Sequence, residues 1–239
     1  MAHGFVRKAH FQPVALPGGA QAVRAPWRNL VAHLSAAFGD DWRQQIAGTQ
    51  MAQMLAEKPT GMITQMIAQG VNAPLASSAG RLFDAVAAAL GIAFDQQHYE
   101  GQAAMELAAL VDDCAVSGGY AAALTDQGVL TWAPLWTALI ADIKAGVGHA
   151  VIAARFHAGL ATVLADCAAQ VASDANTARI VLSGGVMQNS FLHDQLGKTL
   201  RGRGFDVLSH KNLPANDGGV ALGQACHAAL IHGARRQSD

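Results

Sequence analysis

A short apolar run from Ile180 to Leu182 stops at Ser183-Gly184-Gly185, and a helical pattern begins behind it. Phe191, Leu192, Leu196 and Leu200 fall on one face of that helix, and Gly204 marks its end. Paired glycines between a strand and a helix let the backbone approach a bulky ligand, and the first helical N–H groups are free to bind an anion. The order then repeats. A second strand, Phe205 to Leu208, is followed by a polar loop, His210 to Asn216, by Asp217-Gly218-Gly219, and by a last helix to about His232. Residues 178–232 therefore read as strand–helix–strand–loop–helix, a βαβ unit with a parallel pair of strands. In such a unit both turns lie on one edge of the sheet, where α/β proteins bind ligands. Alone, Ser-Gly-Gly is as well explained by a plain tight turn, and Asp217 by a helix cap. Side by side, the two turns make a cradle for nucleotide phosphates and a metal.

The preceding 150 residues are mostly helical. His3 to Leu16 alternates loosely as one or two strands, closed by Pro17-Gly18-Gly19. A helix starts near Pro26, carries Trp27, Leu30, Val31, Leu34 and Phe38 on one face, and ends at Gly39. A methionine-rich stripe from Met51 to Met66, broken at Pro59-Thr60-Gly61, reads as adaptable core filler. Val71 to Leu75 is a connector. Ser77-Ser78 then offers an N-cap for a helix with Leu82, Phe83, Val86 and Leu90, stopped at Gly91. Further helices are expected from Glu100 through Leu110, over Pro134 to Lys144, and from Gly148 past Cys167. Between them, Thr125 to Trp132 reads as a hairpin around Gln127-Gly128.

Composition narrows the function classes. With 51% apolar and 14% charged residues among 239, the chain can bury a sizeable core, as one large domain or two lobes. A net charge of −1 gives no electrostatic reason to expect nucleic acid. The three cysteines, Cys114, Cys167 and Cys226, form no CxxC pair, so buried reduced thiols are expected rather than a zinc ribbon or disulfides. The N-terminus has no apolar signal core and no apolar run approaches membrane-spanning length. The expectation is a soluble cytoplasmic protein without a membrane partner.

Several motifs are excluded. Neither G-x-G-x-x-G nor a nucleophile elbow occurs at the glycine turns, and the ten histidines include no HxxxH pair. Gly197-Lys198-Thr199 imitates the end of a P-loop, but Leu192 stands where its first glycine belongs and the segment lies mid-helix. A third cluster is Ser77-Ser78-Ala79-Gly80-Arg81-Leu82-Phe83-Asp84. Arg81 and Asp84 sit at i and i+3, as a surface ion pair or as groups that hold a ribose or an anionic substrate. His157, inside an apolar helix, reads as a satisfied structural residue.

These segments together resemble one family. Asn72 to Ala85, Tyr99-Glu100-Gly101-Gln102-Ala103-Ala104, Ala153-Ala154-Arg155-Phe156-His157, Leu182 to Val186 with Gln188-Asn189, and Asn216 to Gln224 follow, in order, the C-terminal region of the HypF carbamoyltransferases of [NiFe]-hydrogenase maturation. The likeness runs from about Arg7 to Ile231. It implies the C-terminal lobe of a TsaD-like domain across 1–239: a helix-rich α/β lobe of the actin/hsp70/sugar-kinase-like (RNase H-like) ATPase fold with a small, mainly parallel sheet. That lobe would be mostly helical over 20–170 and carry its nucleotide unit at 178–232. The family forms carbamoyl-adenylate from carbamoyl phosphate and ATP and transfers the carbamoyl group to the C-terminal cysteine of HypE. By position, Gly80, Ser183, Gly184, Gly185, Asn189, Asn216 and Gly218 would bind the nucleotide. Arg81 and Asp84 would be catalytic, and Asp217 would hold a divalent metal (zinc, iron or magnesium).

The departures are large. The family's acylphosphatase-like, zinc-finger and YrdC-like parts are not in this sequence, nor is the earlier half of the TsaD-like domain with its histidine-rich metal motif. The resemblance thus implies a C-terminal fragment or a shortened homologue, inactive alone. Two rival readings stand beside it. One is a non-catalytic remnant that binds a nucleotide or a partner. The other is an acetate- or sugar-kinase-like phosphotransferase, which needs an Asp-bearing phosphate loop that this sequence does not show.

Overall fold

The chain enters on two short strands, β1 (His10–Phe11) and β2 (Val14–Ala15), and turns at Pro17-Gly18-Gly19 into a short helix α1 (Ala20–Arg24). The computed structural model describes residues 5–111 and 118–236, with side chains to residue 231. His3 and Cys114 lie outside the described residues. Helix α2 (Pro26–Phe38) begins on the expected proline and stops at Gly39, whose φ of 58° no β-carbon favours. Short helices α3 (Trp42–Gln45), α4 (Gln50–Ala56) and α5 (Thr60–Gln69) follow, then β3 (Leu75–Ala76). Helix α6 (Ala79–Ala89) starts where Ser78 accepts the Arg81 N–H at 3.4 Å, the cap its sequence announces. The first part closes with α7 (Gln102–Ala109), strands β4 (Ala123–Leu124) and β5 (Val129–Thr131), α8 (Ala133–Lys144) and the long α9 (His149–Asp174). Then come β6 (Arg179–Leu182), α10 (Ser190–Gly202), β7 (Asp206–Ser209) and α11 (Val220–Arg236).

Three small sheets result. β5 lies between β1, its parallel partner, and β4, with which it forms the expected hairpin. β2 pairs antiparallel with β3, and β6 pairs parallel with β7. The chain divides into two compact units, residues 1–167 and 168–239.

The core of the first unit is helical. Leu30 and Leu34 of α2 and Leu82, Phe83 and Val86 of α6 are all essentially inaccessible, and the two helices face each other. Helix α9 adds Phe156, whose ring meets Phe83 edge to face at 4.9 Å. A pair of that geometry is worth about 1 kcal/mol beyond its buried area. His157 beside it meets Phe83 edge to face at 5.3 Å, and its Nδ1 lies 2.8 Å from the Ala153 carbonyl. Burial holds the imidazole below its ordinary pKa. The structural reading of that histidine is correct.

A second fastening joins α8 and α9 to the segment 118–120. The Tyr120 hydroxyl and the Arg155 guanidinium both donate to Asp142 Oδ2 at 2.6 Å. The backbones cross so closely there that a β-carbon on Gly159 would collide with the Tyr120 backbone.

In the second unit, Leu192, Leu196 and Leu200 of α10 are buried, as are Leu182 and Val207. The register pair Val181 and Leu208 stays exposed, at 62% and 43%.

Three expectations need correction, and one element was missed. Met62 is exposed at 51%, because the break at Pro59 starts a new helix and shifts the apolar face to Ile63. Cys226 is exposed on α11 and Cys167 only half-buried, so neither is a core thiol. The short α1 was not legible in its small residues. Finally, α9 is a 26-residue helix that passes for a membrane span by length and composition. Its Ile152, Phe156 and Leu160 are instead fully buried in the protein core.

The Gly159 crossing makes a direct test. Gly159→Ala is expected to lower the unfolding free energy by about 2–3 kcal/mol, the usual cost of forcing an extra carbon into a closed contact. Urea denaturation followed by tryptophan fluorescence measures it, and an unchanged midpoint would contradict the close crossing.

Candidate functional site

In the second unit the two glycine turns meet. Leu182 and Ser209 are the last register pair of β6 and β7, so both strands release their loops at one edge. Gly184 leaves β6 at φ 106°, ψ 156°, a conformation L side chains rarely adopt. Its N–H donates to the Ala215 carbonyl at 2.8 Å and ties the first turn to the second loop. A 3₁₀ turn, Gly185–Gln188, separates the glycines from α10, so the helix does not open directly on them as its pattern suggested.

The caps come from asparagines. Asn189 Oδ1 accepts the Leu192 N–H at 2.9 Å and starts α10. Asn216 Oδ1 accepts the Gly218 N–H at 3.0 Å. Asp217 is therefore not the cap, and its carboxylate stands exposed. Gly218 and Gly219 owe their identity to the loop itself, since a β-carbon on Gly219 would sit 2.8 Å from the Pro214 carbonyl oxygen. At Gly184 the space is open.

Beside these turns lies a cleft of about 300 Å³, lined by Leu182, Met187, His193, Ser209, His210 and Pro214 among others. Its walls mix apolar and polar groups, as ligand clefts do. His193 Nδ1 lies 3.1 Å from Asp194 Oδ1. His210 Nε2 lies 3.0 Å from Ser183 Oγ. Neither histidine stood out in the sequence. Counting one residue past the last register pair would have placed His210 next to Ser183. Gly197-Lys198-Thr199 lies within α10, as expected of a decoy.

These donors alone do not complete a zinc site. Among the described residues no three His, Cys, Asp or Glu side chains gather to hold an ion. Asp217 offers one exposed carboxylate, whereas a zinc site takes three or four protein ligands and magnesium one or two carboxylates beside a nucleotide's phosphates.

The third cluster belongs to the first unit. Arg81 Nη1 lies 2.6 Å from Asp84 Oδ2, but this is no surface pair: Asp84 is 1% exposed and Arg81 16%. Asn29 Nδ2 donates to the Ala22 carbonyl at 2.7 Å and approaches Asp84 Oδ2 at 3.4 Å. Gln97, from the loop before α7, helps hold down the Asp84 pKa. Its amide spans Val23 and Ala103, at 3.0 Å each. Burial raises the Asp84 pKa to about 6, against the pull of Arg81 and Gln97. Asp84 thus faces inward and anchors Arg81. Nothing in the packing demands glycine at 80, where a β-carbon would meet only Ser78 Oγ at 3.7 Å. The sequence clue to Asn29 was a polar residue next to the apolar stripe of α2.

Comparison with known proteins gives these features a class. Residues 1–224 match the second subdomain of the Kae1-like domain of carbamoyltransferases. The fold is the helix-rich α/β arrangement with small sheets of that ATPase-like class. A solved structure of full-length HypF in a phosphate- and nucleotide-bound form superposes with a TM-score of 0.85 at 30% identity, over 95% of this chain and 29% of that one. HypF of T. kodakarensis gives 0.80 at 27% identity, over 96% and 31%. The carbamoyltransferase HypF of Rhodobacter capsulatus is 39% identical over 227 residues, 95% of this chain and 28% of that protein. A HypF homologue of Cupriavidus necator is 36% identical, over 93% of this chain and 57% of its own.

The chain belongs to the HypF carbamoyltransferase family. It spans under a third of the length of the Rhodobacter relative.

Asp84 predicts a pH dependence. Its folded pKa, about 6, lies above the ordinary 3.8, so the native state holds the proton more tightly than the unfolded chain. Stability from this group is fully present below pH 3.8 and falls as pH rises through 6, by about 3 kcal/mol in all. His33, held near pKa 4 by burial, works in the opposite sense over pH 4–6.5. The Asp84 contribution is therefore read as a difference. The stability gap between wild type and Asp84→Asn should change by about 2 kcal/mol between pH 4 and pH 7, and a constant gap would contradict it.

Proposed function

We propose that this chain is the nucleotide-holding part of a HypF-type carbamoyltransferase. It binds ATP, or the carbamoyl-adenylate made from carbamoyl phosphate and ATP. It helps pass the carbamoyl group to the C-terminal cysteine of HypE, on the way to the cyanide ligands of a [NiFe]-hydrogenase. The observation that carries this reading is the pair of glycine turns tied together at one edge of β6–β7, beside a cleft. A related HypF has been solved in a phosphate- and nucleotide-bound form.

The chemistry asked of these residues is electrostatic. The HypE thiolate attacks the carbamoyl carbon, a C–S bond forms, and the bond to the AMP oxygen breaks with its electron pair leaving on AMP. Backbone N–H groups at the turns suit phosphate charge, and Gly184 keeps the approach open. Arg81, fixed by Asp84, offers a guanidinium in a defined orientation, the condition under which a cation stabilises developing charge on a carbonyl oxygen. No step is assigned to a metal.

A second reading is a nucleotide- or partner-binding remnant without chemistry. Calorimetry with ATP separates nucleotide binding from purely protein binding, and Gly184→Ala should weaken ATP by about tenfold or more through strain at its positive φ. Unchanged affinity would remove the turn from the site. Alone, the 239-residue chain should release no AMP or pyrophosphate from ATP and carbamoyl phosphate. Measured release contradicts that. Adding the rest of a HypF in trans and finding the HypE C-terminal cysteine carbamoylated by mass spectrometry supports the catalytic reading over the remnant.

A further inference from the structure

We propose that His210 is a positioning residue for the Ser-Gly-Gly turn, setting that turn's affinity for a nucleotide's phosphates; the inference rests on the nucleotide reading above. The backbone ladder between β6 and β7 ends at the pair Leu182 and Ser209. The next residue on each strand is Ser183 and His210, and their side chains meet at 3.0 Å, adding a rung that the backbone no longer supplies. One residue further, the Gly184 N–H bonds the Ala215 carbonyl at 2.8 Å. The next, Gly185, has its β-carbon position 3.8 Å from Asn216 Cβ. Three successive residues of the first turn are thus matched to the second loop, and the first match alone is made by two side chains.

The consequence follows from Gly184. A glycine at φ 106° has many other conformations open to it, so the orientation of the N–H groups that follow depends on what holds the residue before it. Ser183 is exposed and sits at the end of its strand. His210 holds the Ser183 hydroxyl, and the imidazole that does so also lines the adjoining cleft. The bond works with either partner as donor, so a side-chain amide of similar reach replaces it.

The experiment is calorimetry with ATP on the full 239-residue chain as wild type, His210→Ala, His210→Gln, Ser183→Ala and the double alanine variant. Loss of one such hydrogen bond predicts ATP binding about 3- to 10-fold weaker in His210→Ala. His210→Gln should recover most of that loss. The double variant should be no weaker than either single one, because both remove the same bond. Both side chains are exposed, so thermal unfolding should not move, which separates orientation from general destabilisation. Equal affinity in wild type and His210→Ala overturns the role of His210 and leaves the nucleotide reading intact. Additive losses in the double variant also overturn it, assigning Ser183 a direct contact instead. A wild type that binds no ATP overturns both readings.

Discussion

A carboxylate lies at the centre of the helical unit, and its burial sets conditions on everything around it. Asp84 is on α6, between Phe83, which contacts α9, and the apolar residues that face α2. An isolated carboxylate there would cost several kcal/mol. Arg81 from one turn earlier and Asn29 from α2 meet it directly, and Gln97 from the loop before α7 favours its charged form. Each partner is itself tied elsewhere, Asn29 to Ala22 and Gln97 to Val23 and Ala103. The network therefore staples α1, α2, α6 and α7 together through a single charged group. Removing one member leaves the others buried without their bonds, which is the costly case.

The second unit is organised by a different constraint. Two parallel strands need a crossover between them, here α10, and the crossover sends both loops to the same edge. Proximity of the glycine turns is thus a consequence of topology, not of any attraction between them. What topology leaves open is their relative orientation, because the first turn passes through Gly184, at a positive φ in open space. The Gly184–Ala215 hydrogen bond and the side-chain pair beside it supply that orientation.

The parts of the fold legible in the sequence are those set by neighbouring residues. Ser78 as a cap, Gly39 and Gly204 as stops and the α2 stripe follow from patterns within a few positions, and the parallel pair from the strand–helix–strand order. The parts that were not legible depend on distant ones. Asn29 meets Asp84 across 55 positions of sequence, and Ser183 meets His210 across 27. No periodicity encodes such contacts. The Arg81–Asp84 spacing was visible, but whether it lay on the surface or in the core depended on α2 and Gln97. The asparagine caps were likewise not read from the sequence: the side-chain oxygens of Asn189 and Asn216 accept local N–H groups.

The two glycine pairs, alike in sequence, differ in what they do. Gly219 is required by the carbonyl of Pro214, so a side chain there would displace the loop before any ligand arrived. Gly184 is required by its backbone angle, and nothing lies within 4 Å of its β-carbon position. The first is a packing glycine and the second a conformational one. A conformational glycine in open space leaves room for something to approach, whereas a packing glycine records only its own loop. Of the two turns, the one after β6 therefore has the shape expected where a ligand's charge comes close to the backbone, and the one after β7 has the shape of its support. That asymmetry also explains why the tie between the loops matters in one direction: the supported turn is the one with conformational freedom to lose.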